Sequence, residues 1–523
     1  GSSSGVPLCR PPPPMKPCDR ATPAAERGLP LRPEQPHYGA TDSGALKDAG
    51  GIGHGEVAGQ RRSMWFAALL VLLVVSEGYD FGVLNGAIVL IQEELGSSNW
   101  EISTVVSVTP ASVIPGSALG GMMADRLGRW RSLLACCILL VVGPLGTALA
   151  PSVHIMILFR ALVGGGIGAG FVIISMYLAE VAPSGMRGRL TVLEEIAIAL
   201  GMLLGYFTNW WLAGISNDWR WMLALGSITP LIVALLLLLP QVPESPRWLF
   251  AMGRAEEAEA TLRAYVGDVE ARHTIALMRE QKEREPVDAQ GGFADWGSAI
   301  KDVQTKPGVR RMLSAGCAVA VGQTACGYLG VAYYSSTVLK GMLGKREAFL
   351  ATIAMGVAKV VAAIIALLIL EHTGRRPLLL ASAGIVAFAS AWLCIAFAVD
   401  AGALALAFGF CLFMGGHAVG LGAAVFVYIA EVFTTEWRGK GMATVLCVSR
   451  AFAVVNTITL PLFVDSFGAA ATFGLQAVCC VLVAGCIWAF AYETGGQSLE
   501  ALSQLSSETH PSLSDKPLSG CRA

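Results

Sequence analysis

Residues 177–188 read YLAEVAPSGMRG, and residues 428–439 read YIAEVFTTEWRG. The acidic and basic members recur at one offset, 251 residues in both cases (431 − 180 for the Glu180/Glu431 pair and 438 − 187 for Arg187/Arg438). A second motif repeats in the same order: Gly121-x-x-x-Asp125-Arg126-x-Gly128-Arg129 returns as Glu371-His372-x-Gly374-Arg375-Arg376. The chain is therefore a duplication, and what surrounds each motif shows what was duplicated.

Each motif closes a long apolar run. The chain is 14% charged and 54% hydrophobic, with a mean hydropathy of +0.59, whereas a soluble domain is about 25% charged. A helix needs about 20 apolar residues to cross a bilayer. Segments 64–91, 102–124, 132–151, 155–179, 190–213 and 220–240 meet that need before a polar interval, and 312–339, 348–370, 377–399, 401–430, 442–464 and 469–492 after it. The expectation is an all-α membrane protein with about twelve transmembrane helices in two six-helix repeat halves, 64–241 and 309–493. Duplicated halves with a substrate site between them at mid-membrane are a transporter pattern.

Charge is sorted by loop. Arg126, Arg129 and Arg131 follow the second run, Arg187 and Arg189 the fourth, Arg375 and Arg376 the eighth, and Arg438 and Lys440 the tenth. Such loops are cytoplasmic. The alternate loops carry Glu93, Glu94, Glu101, Asp218, Asp400 and Asp465, with Lys340, Lys345 and Arg346 as the exception. Both termini then lie in the cytoplasm: 1–63, rich in Pro, Gly and Ala, as a disordered tail, and 494–523 as a second tail. Segment 242–308 reads as a cytoplasmic linker with short helices. The opening GSSSG without Met reads as a fused or incomplete coding start. A net charge of −1 gives no basic surface for nucleic acid. The cysteines fall mostly inside apolar runs without CxxC spacing and read as packing residues. No nucleotide loop, metal cluster or nucleophilic triad is present, so neither a cofactor nor an enzyme is expected.

GGMMADRLGR (120–129), YLAEVAPSGMRG, PESPRWL (243–249), EHTGRRP (371–377), YIAEVFTTEWRG and ETGGQSLE (493–500) together resemble, in order, the signature set of the sugar porters of the major facilitator superfamily. EIAIALGMLLGYFTN (195–209) and ATIAMGVAK (351–359) are similar to the plant-type polyol/monosaccharide proton symporters within it. The resemblance implies the major facilitator fold in a lipid bilayer and alternating-access transport of a monosaccharide or polyol with a proton. It favours the plasma membrane, with a plastid or vacuolar membrane also compatible. A facilitative uniporter and a non-transporting sugar sensor are the alternatives.

An ionisable side chain inside a span is costly and marks function by default. Asp80, in Gly78-Tyr79-Asp80, is the leading case, and the resemblance implies that it accepts the proton with Arg160 as its partner. An acid–base pair split between helices can load and release a proton as their separation changes; a permanent structural pair is the alternative. Glu77, Glu194 and His417 are further ionisable groups within spans. For substrate, the resemblance implies Glu195, Gln323, Thr324, Tyr333, Tyr334, Lys359 and Phe426. Thr324 and Leu329 depart from the family pattern, Phe426 replaces a Trp, and Gly422-Ala423 replaces a Gly-Pro hinge. At the cytoplasmic helix ends, Asp125, Arg126, Arg129, Glu180, Arg187 and Glu244, with Arg375, Arg376, Glu431 and Arg438, are expected to pair carboxylate with guanidinium and latch an inner gate. Enforcing topology alone is the plainer reading of those arginines.

Overall fold

The structure is a computed structural model that describes residues 1, 54–181, 187–239, 242, 244–284, 296–370, 372–434 and 437–495. Glu371, most of both tails, and the side chains of Arg187 and Arg438 lie outside the described residues. All regular structure among the described residues is helical.

In the first half, α1 (His54–Leu95), α2 (Asn99–Leu127), α3 (Arg129–Leu149), α4 (Val153–Val181) and α5 (Arg187–Leu212) each make one pass; α6 (Asp218–Leu225) and α7 (Ile228–Leu237) share the sixth. Helix α1 begins at His54, within the stretch read from sequence as a tail. Four short helices follow: α8 (Pro246–Ala251), α9 (Ala255–Val266), α10 (Asp268–Arg284) and α11 (Trp296–Thr305). Leu249, Ala258, Leu262, Ala271 and Ile275 give α8–α10 a small apolar core of their own.

The second half opens with α12 (Pro307–Ala325) and α13 (Tyr328–Leu343), which share a pass broken at Gly327. Its φ of +81° suits glycine, and a side chain there would strike Gln476. Helices α14 (Lys345–Ile369) and α15 (Arg375–Ala398) come next. Then α16 (Gly402–His417) runs through a π-helical turn, Ala418–Gly422, into α17 (Ala423–Val432). Last is α18 (Arg438–Phe490), 53 residues interrupted by Gly468 at φ +81°. At 1.5 Å per residue so long a helix would be more than twice the thickness of a bilayer core of about 30 Å. It folds back at Gly468 instead, and its last turn meets α15 where Arg376 donates to the Trp488 carbonyl.

Ten stretches among the described residues are long and apolar enough to cross a membrane. Adding α5, diluted by Glu194, Glu195 and Asn209, and separating the two arms of α18 gives the twelve expected passes. Their polarity is inverted relative to a soluble protein. Leu231 and Leu235 of α7, and Val357, Val361, Ile364 and Leu368 of α14, face outward, while Asp80, Asn85, Arg160, Asn209 and Lys359 are buried.

Packing within the first half depends on small residues. Gly78 and Gly82 of α1 lie against the backbone of Ile198 and Met202 of α5, and Gly201 and Gly205 of α5 against the α1 backbone. Gly116 and Gly120 of α2 meet Gly165 and Ala169 of α4 in the same way. In lipid, where apolar burial gives no preference for helix over solvent, such close approach is a main source of association.

Candidate functional site

Asp80 and Arg160 meet between α1 and α4. The guanidinium holds the carboxylate with both terminal nitrogens, Nη2 donating to Oδ2 at 2.9 Å and Nη1 to Oδ1. Arg160 is 1% exposed, and among the described residues its Nε has no hydrogen-bond partner. Ser76, Asp80, Thr147 and Arg160 supply the polar lining of a small cavity beside the pair. Tyr333 of α13 reaches it from the second half: its ring packs edge-on against Phe81 with centroids 5.6 Å apart, and its buried hydroxyl lies beside Arg160.

A second ionic contact joins the halves. Lys359 Nζ of α14 donates to Glu195 Oε1 of α5 at 2.5 Å, with both side chains buried. The Tyr328 ring lies 4.8 Å from the ammonium and stacks on His417 at 4.0 Å. The π-helical turn brings Gly422 against the Glu195 carboxylate, so that a methyl group there would sit 2.7 Å from Oε1. Gln323 is half-buried, and its side chain makes no hydrogen bond among the described residues. Phe426 stacks on Phe171 of α4 at 6.3 Å, and the Arg450 guanidinium of α18 lies over the same Phe171 ring at 5.6 Å.

Not every residue expected at the substrate faces this space. The Thr324 hydroxyl is spent on the carbonyls of Val321 and Ser449 at 3.2 and 3.1 Å, which ties α12 to α18. Tyr334 is buried beside Ser103 of α2.

At the arginine-rich end the two halves repeat one construction. Arg129 grips Glu180 through Nε and Nη2 at 3.1 and 2.9 Å and donates to the Ala124 carbonyl at 3.0 Å, with Asp125 at 3.5 Å. The Glu244 carboxylate accepts from the backbone N–H groups of Arg129 and Trp130 at 2.7 and 3.2 Å, an anion on the first turn of α3. In the second half, Arg375 holds Glu431 at 3.0 Å and donates to the Leu370 carbonyl, while Glu493 accepts from the N–H groups of Arg375 and Arg376 at 2.7 and 3.1 Å. Arg126 is exposed. Each pair lies within one half, so among the described residues these motifs clamp helix ends rather than bridge the halves.

The opposite end is where the halves lock. Asn85 Nδ2 of α1 donates to the Ala332 carbonyl at 2.7 Å and the Ser335 hydroxyl at 2.9 Å, and Ser336 Oγ donates to the Asn85 carbonyl at 2.5 Å. Glu93 binds both Lys340 and Lys345, the latter at 2.6 Å, and Asn99 of α2 binds Asp465 of α18. The two lysines that broke the loop-charge pattern are thus partners of a carboxylate in the other half. Asn85, Arg450 and Glu493 were absent from the sequence-based site. A polar or charged residue inside an apolar run was the available signal for the first two.

The family described as "Sugar (and other) transporter" matches residues 66–505. The D-xylose transporter of Levilactobacillus brevis is 30% identical over 441 residues, 83% of this chain and 93% of that protein. Probable polyol transporter 4 of Arabidopsis thaliana is 30% identical over 457 residues, 84% and 83% of the two chains. The inward open conformation of the xylose transporter XylE from E. coli superposes with a TM-score of 0.72 at 25% identity, covering 85% of this chain and 99% of that one. The proton:xylose symporter XylE bound to 6-bromo-6-deoxy-D-glucose gives 0.68 at the same identity and coverage. With the match spanning nearly the whole helical body, this chain belongs to the sugar transporter family of the major facilitator superfamily and is an integral, multi-pass membrane protein.

Proposed function

We propose that this protein carries a monosaccharide or polyol across the membrane together with a proton, by exposing one site between its halves alternately to either side. The observation that carries the reading is the buried, bidentate Asp80–Arg160 pair with Tyr333 of the other half against it. Protonating Asp80 removes the charge that Arg160 holds and frees guanidinium N–H groups beside the Tyr333 hydroxyl. A proton therefore alters the contact between α1–α4 and α13, the helix that also carries Ser335 and Ser336 of the closed end. Coupling needs such a difference between the contacts of the two states.

Hydroxyl-rich substrates need donors, acceptors and an aromatic face. Gln323, the Glu195–Lys359 pair and the Tyr328 ring supply these around the junction of the halves. The arginine-rich end faces the cytoplasm on the loop-charge rule, and the plasma membrane is the favoured address. The substrate leaves unchanged, with no bond made or broken. Purified protein in sealed proteoliposomes, offered pentoses, hexoses and polyols under an imposed inward proton gradient, tests the reading. Accumulation of one compound above equilibrium, with proton uptake, supports it. Equilibration without accumulation would replace symport by facilitated diffusion.

A further inference from the structure

Two carboxylates of the first half are not used by this mechanism. Glu77 lies one turn before Asp80 on α1, and Glu194 immediately precedes Glu195 on α5. Glu77 is 8% exposed, and neither carboxylate makes an ion pair or hydrogen bond among the described residues. Both line one cavity, together with Ser76, Gly170, Phe171 and Ile174. The cavity beside Asp80 and Arg160 adjoins it, and Ser76, Leu140 and Ile167 are walls of both. Helix α1 runs from the arginine-rich end towards the closed end, where Asn85 and Glu93 lie, so Glu77 sits between Asp80 and the arginine-rich end.

The groups that face Glu77 come from four helices: Asp80 on α1, Glu194 and Glu195 on α5, Tyr328 and Tyr333 on α13, and Arg450 on α18. Arg450 is the facing cation, held over the ring of Phe171, which is a wall of the same cavity. Two carboxylates in a water-poor space repel each other, and one shared proton relieves the repulsion. An unpartnered carboxylate at this depth is costly unless it is used.

We infer that Glu77 and Glu194 form a second proton site, which receives the proton from Asp80 and delivers it to the arginine-rich side. The inference rests on the symport reading. In the transfer, the Asp80 carboxyl gives up its proton and Arg160 retakes the carboxylate. A carboxylate oxygen of Glu77 or Glu194 binds the proton and passes it to water, and no other bond changes. The path runs along Ser76, a wall of both cavities, whose hydroxyl donates to the Leu73 carbonyl at 2.6 Å.

Glu77→Gln, Glu194→Gln and the double variant, with Asp80 intact, test it in proteoliposomes after monodispersity in detergent has been checked. The expected result is gradient-driven accumulation that weakens in each single variant and is lost in the double, while exchange of labelled for unlabelled substrate persists. Glu77→Asp, which keeps a titrating group, should retain accumulation. Undiminished accumulation in the double variant overturns the second site alone. Loss of exchange in a well-folded double variant also overturns it, because the carboxylates would then be binding substrate. Wild-type protein that never accumulates substrate would overturn the symport reading and this inference with it.

Discussion

Lys359 is fully buried, and its only carboxylate partner among the described residues is Glu195 of the opposite half. Removing one member of a buried ion pair strands the other and costs about 3–5 kcal/mol, whereas replacing both with neutral groups of similar volume is often harmless. Lys359→Met should therefore lower the melting temperature markedly, and Lys359→Met with Glu195→Gln should recover most of the loss. Equal destabilisation by the single and double variants would mean that Lys359 acts through packing alone. Transport should stay impaired in the double variant, since the Lys359 ammonium offered to substrate has gone and the Glu195 position has lost its charge. Single residues were legible from sequence where a motif or an isolated charge marked them, as with Asp80, Arg160, Glu195 and Lys359. Thr324, next to Gln323, was expected at the substrate as well, yet its hydroxyl is turned to α18, and a position in the sequence cannot report which way a side chain faces.

Helices were legible because a span declares itself by length and hydropathy, whereas their joints depend on single backbone angles. The broken pass at Gly327 and the fold of α18 at Gly468 rest on positive φ, which a run of apolar residues conceals. Helix contact is set by glycines that differ in what surrounds them. A methyl group at Gly78 would strike the Ile198 backbone, whereas one at Gly485 would meet nothing within 4 Å. Gly78→Ala should destabilise the protein by about 1–3 kcal/mol through overpacking of α1 on α5. Gly485→Ala should stabilise it by about 0.5–1 kcal/mol by reducing backbone freedom in the unfolded chain. Thermal unfolding of the two variants side by side checks the pair; a similar response from both would dismiss the close-packed seam.

The molecule as a whole is closed at one end by Asn85, Glu93 and Asn99 reaching into the second half, and the described ion pairs at the other end stay within their own halves. Alternating access then requires the Asn85 cluster to open. Asn85→Ala should favour the state open at that end and raise the labelling of a cysteine placed at Ser335. Unchanged labelling would mean that the ionic contacts alone hold the end shut. Orientation is checked by membrane-impermeant labelling. A cysteine at Ser216 should react in intact cells, and one at Glu256 only after permeabilisation; the reverse would invert the molecule. The twofold architecture was legible from the repeat, but the side on which the halves lock was not, because both ends carry charge and only contact geometry tells a clamp within a half from a bridge between halves. Asp80→Asn in sealed proteoliposomes tests the central claim most directly, since it mimics the protonated acid and removes the titrating group. Gradient-driven accumulation should vanish while exchange of labelled for unlabelled substrate survives; an Asp80→Asn protein that still concentrates substrate with proton uptake would contradict the account.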